Sequence, residues 1–166
     1  MQLAALKHRT ESEDCFVIDH SHVKIRLHTA KDDVEKVIVH YTDNYLPPKQ
    51  AKELEMEKIG SGQVNDYWGA TLTAPYHRIK YTFEIIGKDG SHYIFGDRSI
   101  ENFSDEKLRE DGMYFKVPYF HDIDRIKTPK WLKDVVWYQI FPERFANGDK
   151  SNDPANVKEW NPEDHP

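Results

Sequence analysis

One cysteine, Cys15, stands in the 166 residues, so no internal disulfide is available and a hydrophobic core must hold the fold. No apolar run approaches the roughly 20 residues that cross a bilayer. An excess of basic charge is also missing. Lys and Arg number 23 against 29 Asp and Glu, a net charge of −6. A general binder of nucleic acid or of an anionic membrane needs a basic face, so neither is an expected partner. Residues 1–15 carry charges every few positions (Lys7, Arg9, Glu11, Glu13, Asp14) and no apolar h-region, which argues against a signal peptide and for a cytoplasmic protein. There is no internal repeat, no low-complexity tract and, before residue 118, no long amphipathic helix. What remains is globular: 38% hydrophobic and 31% charged, with enough chain for one ordinary domain and some to spare.

Aromatic residues are plentiful, with 9 Tyr, 8 Phe and 4 Trp. Their ordinary use is the core of a β-rich domain, and their other use is stacking on sugar rings. Several segments alternate with period two. Val23, Ile25 and Leu27 share a face opposite Lys24, Arg26 and His28, which predicts a half-buried strand. Residues 37–41, 66–73 (Trp68, Ala70 and Leu72 on one side) and 79–86 (Ile79, Tyr81, Phe83 and Ile85 on one side) read likewise. Lys88-Asp89-Gly90-Ser91 then precedes Tyr93-Ile94-Phe95. Asp-Gly between two such runs is tight-hairpin chemistry, since both central residues tolerate positive φ. Residues 113–117 predict a last strand, and residues 104–110 one short helix. Turn signals fall at Thr42-Asp43-Asn44, Pro47-Pro48, Gly60-Ser61-Gly62 and Gly96-Asp97. Short antiparallel strands at this spacing predict an all-β fold, an immunoglobulin-like two-sheet sandwich, over residues 1–123.

The character changes near residue 118. A charged connection leads to Pro129-Lys130-Trp131-Leu132-Lys133-Asp134, which reads as one helical turn with proline at its first position. Residues 135–141 follow as an almost unbroken apolar run. A strand without alternation is buried on both faces, as in a parallel sheet, and has no place at the end of an antiparallel sandwich. Residues 124–166 are therefore expected to be a linker and the start of a second domain.

The run Val136-Trp137-Tyr138-Gln139-Ile140-Phe141-Pro142-Glu143-Arg144-Phe145-Ala146-Asn147-Gly148-Asp149 resembles the first barrel strand and following loop of the neopullulanase, cyclomaltodextrinase and maltogenic amylase group of the α-amylase superfamily. Leu6-Lys7-His8-Arg9 and Asp66-Tyr67-Trp68 look like the accessory β-sandwich that precedes the barrel in that group. The resemblance implies a truncated (β/α)8 barrel after the sandwich, α-glucans and cyclodextrins as substrates, and α-1,4 and sometimes α-1,6 bonds as the target. The retaining mechanism of the group needs two carboxyl groups roughly 5 Å apart. They come from middle and later strands, so the chain is expected to stop before them and to be inactive alone. Glu143 lies just past the first strand beside Arg144; its expected role is an ion pair, not catalysis.

Asn147, Asp149, Asn152 and Asp153 fall within seven residues around Gly148. Such residues are ordinary turn formers. They are also short oxygen donors that a tight loop can bring to one hard cation. The resemblance implies Ca²⁺, because the four match calcium-ligand positions whose remaining ligands lie in a later segment. His20, His22 and His28 cluster in sequence but lack a defined third partner for a metal, and read as turn or solvated histidines. Tyr45 lies in a loop bounded by Pro47. It either folds back on the sandwich or stands exposed for contact. In the resembling enzymes this loop reaches the active site of a partner subunit, which implies a homodimer. Two other readings compete with an enzyme fragment: a freestanding carbohydrate-binding module and a generic immunoglobulin-like interaction domain. Neither has a use for residues 135–141.

Overall fold

The computed structural model describes residues 1–125, 127–141 and 146–157. The chain divides into two compact units, Met1–Ile126 and Lys127–Pro166. In the first, ten strands form two antiparallel sheets: β1 Cys15–Val17, β2 His22–Ala30, β3 Val34–Thr42, β4 Lys52–Glu55, β5 Glu57–Ser61, β6 Asn65–Thr73, β7 Ile79–Gly87, β8 His92–Phe95, β9 Ile100–Asn102 and β10 Phe115–Val117. One sheet runs β1-β2-β6-β5 and the other β4-β3-β7-β8-β9, with β10 also paired to β7. β8 and β10 divide one edge of β7 between them, Phe95 facing Phe83 and Phe115 facing Tyr81, while β3 holds the other edge.

The alternation read in β2 holds: Val23, Ile25 and Leu27 are fully buried, and the basic positions between them are half-buried. They meet Trp68 and Leu72 of β6 and, across the sandwich, Val37, Val39, Tyr81, Phe83 and Ile85. Burying one such aliphatic side chain contributes about 2 kcal/mol. A polar pair is threaded through this core. His8 is buried, its Nδ1 donating to the Arg26 carbonyl at 2.7 Å and its Nε2 accepting from the Tyr81 hydroxyl at 2.8 Å. Burial pushes the imidazole down to about 4, against the weaker opposing pull of the Arg26 carbonyl.

β7 is buried on both faces. Its second face carries Lys80, Thr82 and Glu84, all buried, with Lys80 against Asp111 and Tyr114 of the segment after β9. There α1 (Asp105–Leu108), capped by Ser104, leads to a 3-10 turn at Asp111–Met113. Met113 and Tyr114 pack with Ile94, Phe103 and Leu108. Lys80 pairs with Asp111, and Glu84 lies between the Nε2 atoms of His40 (2.7 Å) and His92 (2.8 Å), so each buried charge has a partner.

Three local expectations need correction. The hairpin after β7 forms, but only Gly90 takes a positive φ, 79°; Asp89 instead accepts the Ser91 N–H. Gly60 and Ser61 belong to β5, and that turn starts at Gly62. Residues 130–134 make a 3-10 turn with Pro129 as its cap, not its first residue. Residues 135–141 carry no ladder: among the described residues no strand is offered for them to pair with, and Val136 is 97% exposed. A parallel strand needs neighbours for its hydrogen bonds, so an apolar run without them stays outside any sheet.

Candidate functional site

The β3–β7 pairing, which sets Thr42 opposite Lys80, brings two turns to the same end of the sandwich. One follows β3. Its backbone closes with the Leu46 N–H on the Asp43 carbonyl at 3.1 Å, and Asn44 Nδ2 pins it to the Val117 carbonyl at 3.0 Å. The other precedes β7, closing with the His77 N–H on the Ala74 carbonyl at 3.0 Å and turning through His77 at φ 59°. Tyr45 sits on the first turn and is 82% exposed; Tyr76 sits on the second and is 61% exposed. Tyr45 therefore does not fold back on the sandwich.

Asp43 is the hub of this end. Its Oδ1 accepts the Tyr45 N–H at 2.9 Å, and its two oxygens take the Arg78 Nε–H at 3.2 and 2.9 Å. The guanidinium so held lies over the Tyr45 ring, 4.4 Å from its centroid, with the Tyr76 ring at 5.7 Å. Asp43, Tyr76 and Arg78 were not singled out from sequence. They are separated from Tyr45 by up to a full strand pair, and no local period joins them. Beside them His77 stacks on Tyr119 at 5.3 Å and reaches His20, Nε2 to Nε2, at 3.0 Å.

Elsewhere an open cavity of about 730 Å³ is lined by Glu35, Glu55, Met56, Lys58 and Trp68. Trp68 is only 6% exposed and its indole N–H is bound to Thr29, so it offers no face to a sugar. The adjacent carboxylate of Asp66 is buried. Burial works against its charge, but the Lys58 ammonium, the Ser61 hydroxyl and the Asp32 N–H together hold its carboxyl down at about 2.

In the second unit, residues 147–153 form a small closed loop. Asn147 Nδ2 donates to both oxygens of Asp153 at 2.7 and 2.9 Å, and its Oδ1 accepts the Asp149 N–H at 3.2 Å. Asp149 caps the 3-10 turn Lys150–Asn152 through the Ser151 N–H, and these contacts hold its carboxyl below the usual range. The loop brings the Asn147 and Asp153 side chains together and joins Asp149 to them through its backbone N–H, its carboxylate being turned to Ser151; Asn152 is exposed. The donors are all hard oxygens, which suits a cation such as Ca²⁺, once the Asn147 amide turns its oxygen where its nitrogen now points. Glu143 and Arg144 lie outside the described residues. His20, His22 and His28 do not converge. His22 meets Asp19 at 2.8 Å, and His28, more buried than a solvated residue, meets buried Asp14 at 2.8 Å. Among the described residues no group of three or more His, Cys, Asp or Glu is placed to hold a metal.

Two packed antiparallel sheets with an exposed aromatic end define an immunoglobulin-like module. The chain belongs to the alpha amylase, N-terminal ig-like domain family, whose model matches residues 1–121. It is 34% identical over 167 aligned positions to an intracellular maltogenic amylase of Bacillus subtilis (strain 168), covering 99% of this chain and 28% of that protein. It is 37% identical to neopullulanase 2 of Thermoactinomyces vulgaris, covering 96% and 27%. A solved structure of a cyclomaltodextrinase superposes with a TM-score of 0.75 at 30% identity, covering 97% of this chain and 27% of that one. The chain thus spans a little over a quarter of the length of the relatives it matches.

Proposed function

We propose that this chain is the accessory sandwich and barrel entry of an α-glucan hydrolase acting on cyclodextrins, pullulan and starch. Residues 1–123 are the sandwich, and residues 124–166 are the linker and the start of the catalytic (β/α)8 barrel. The observation that carries this reading is the similarity of nearly the whole chain, residues beyond the sandwich included, to a maltogenic amylase and a neopullulanase of whose length it covers a little over a quarter. A freestanding module would give no reason for the similarity to run past residue 121. The retaining chemistry of such an enzyme requires a nucleophile and an acid that lie outside these residues.

Within this reading the chain's own residues shape and support the site. Tyr45, exposed on its turn, walls the substrate site of a partner subunit in a homodimer. A sugar ring on its open face hides apolar C–H surface, and a few tens of Å² at about 25 cal/mol per Å² amount to roughly 1 kcal/mol. Asn147, Asp149, Asn152 and Asp153 hold Ca²⁺, which when bound supplies a fixed positive centre that rigidifies the first barrel loop. A protein without its final ligands would bind the ion weakly, so Asp149→Ala is made in the intact native protein. Its melting temperature should lose its dependence on calcium; an unchanged calcium response would remove the assignment. A cytoplasmic location is supported by the word intracellular in the name of one relative. Among the described residues no helix is long and apolar enough to cross a membrane.

The reading as a whole is tested by the intact mass of the natural gene product. A product several hundred residues longer than this chain is expected. One ending near Pro166 would favour a freestanding module instead.

A further inference from the structure

We propose that Tyr45, Arg78 and Tyr76 form one glucan-contact surface on the sandwich, in which Arg78 is the residue that positions Tyr45. The proposal rests on the glucan reading above but not on the barrel or the dimer.

An exposed tyrosine on a turn normally samples several rotamers, and ordering it on a ligand costs free energy. Tyr45 is restrained instead. Its backbone N–H and the guanidinium over its ring are both tied to one carboxylate, that of Asp43. The Asp43 side chain is only 9% exposed and that of Arg78 28%, so the restraint is set into the surface and not borne by two solvated side chains. With Arg78 on one face of the ring, the opposite face is the one left for a pyranose. Both hydrogen bonds from Arg78 to Asp43 leave from Nε, so its η-amino groups are not spent on that carboxylate. They can donate to hydroxyls of a neighbouring sugar unit of the same glucan, beside the ring, for which a planar fork is well suited. Tyr76, whose ring centroid lies 5.7 Å from the same guanidinium, extends the apolar area. Stacking rings with donors set between them match a sugar, which has apolar C–H faces and a polar rim. A flat apolar partner would leave the guanidinium unsatisfied.

The test uses this 166-residue chain and β-cyclodextrin as probe, followed by calorimetry and by NMR of the tyrosine rings and the arginine side chains. Titration should perturb Tyr45, Tyr76 and the Arg78 Nε–H together. Tyr76→Ala and Arg78→Lys should each weaken binding about fivefold, the size expected for a loss of about 1 kcal/mol. Arg78→Lys keeps the charge and the reach to Asp43 but lacks the plane. It should melt like the parent while the Tyr45 ring resonances shift, because the guanidinium no longer covers one face of that ring. If Tyr45→Ala weakens binding while Arg78→Lys and Tyr76→Ala bind as the parent does, Tyr45 acts alone; the proposal falls and the glucan reading stands. If β-cyclodextrin does not bind this chain, the surface is refuted even where the native protein hydrolyses cyclodextrin. If it binds with none of the three side chains perturbed, its site lies elsewhere on the sandwich and the proposal is equally refuted.

Discussion

His8 shows how one residue couples the packing of the sandwich to pH. In the unfolded chain a histidine protonates near pH 6.5, whereas buried His8 protonates only near 4. Between those values the unfolded state holds the extra proton, so acidification favours unfolding. The contribution is complete above pH 6.5, declines as pH falls toward 4 and is lost below that, about 3 kcal/mol in all. Thermal melts from pH 7 to 4.5 should show the decline, and His8→Gln should flatten it. Parallel melting curves for parent and variant would mean that other groups carry the acid sensitivity. None of this was visible in the sequence, where Leu6-Lys7-His8-Arg9 reads as a charged start. The burial of His8 depends on Tyr81, 73 residues away. For Tyr45 the sequence left two placements open, folded back or exposed, and the structure shows the exposed one. Its setting was not legible, because Arg78 and Asp43 meet only once β3 and β7 are paired.

At the scale of elements, legibility followed burial. β2, β3, β6 and β7 each bury a face, so their apolar residues alternate and their positions can be read. β4 and β5 bury none of their own residues; every one is exposed, and they are edge strands of charged sequence. They are recognised only from their partners, Lys52–Glu55 from β3 and Glu57–Ser61 from β6. β1 and β9, at three residues each, are too short to show a period. At residues 135–141 a strand pattern was legible together with its need for neighbouring strands, and among the described residues none pairs with it. Hydrogen exchange on this chain should therefore separate the elements sharply. Residues 23–27 and 79–86, central in their sheets, should be strongly protected, and residues 135–141 should exchange freely. Strong protection of residues 135–141 in a dilute monomer would contradict the division between sandwich and barrel entry.

For the whole molecule, the two units have different physical standing. The first closes its own core between two sheets and covers the outer face of β7 with its own chain. The second presents Trp137, Tyr138, Ile140 and Phe141 exposed, in a segment with no ladder of its own among the described residues. Apolar surface of that kind is removed from water when neighbouring strands are supplied, which is what a barrel does for its first strand. The catalytic carboxylates belong to those later strands on this account. Under the function proposed above, the sandwich contributes contact and support, and the chemistry depends on the barrel. The most direct measurement is release of reducing ends from β-cyclodextrin and pullulan by the native gene product and by this 166-residue chain, purified side by side. The account predicts turnover by the native product and none above background by the chain. Turnover by the chain that survives purification and vanishes in Glu143→Gln, or a native product that binds these glucans but never cleaves them, would contradict it.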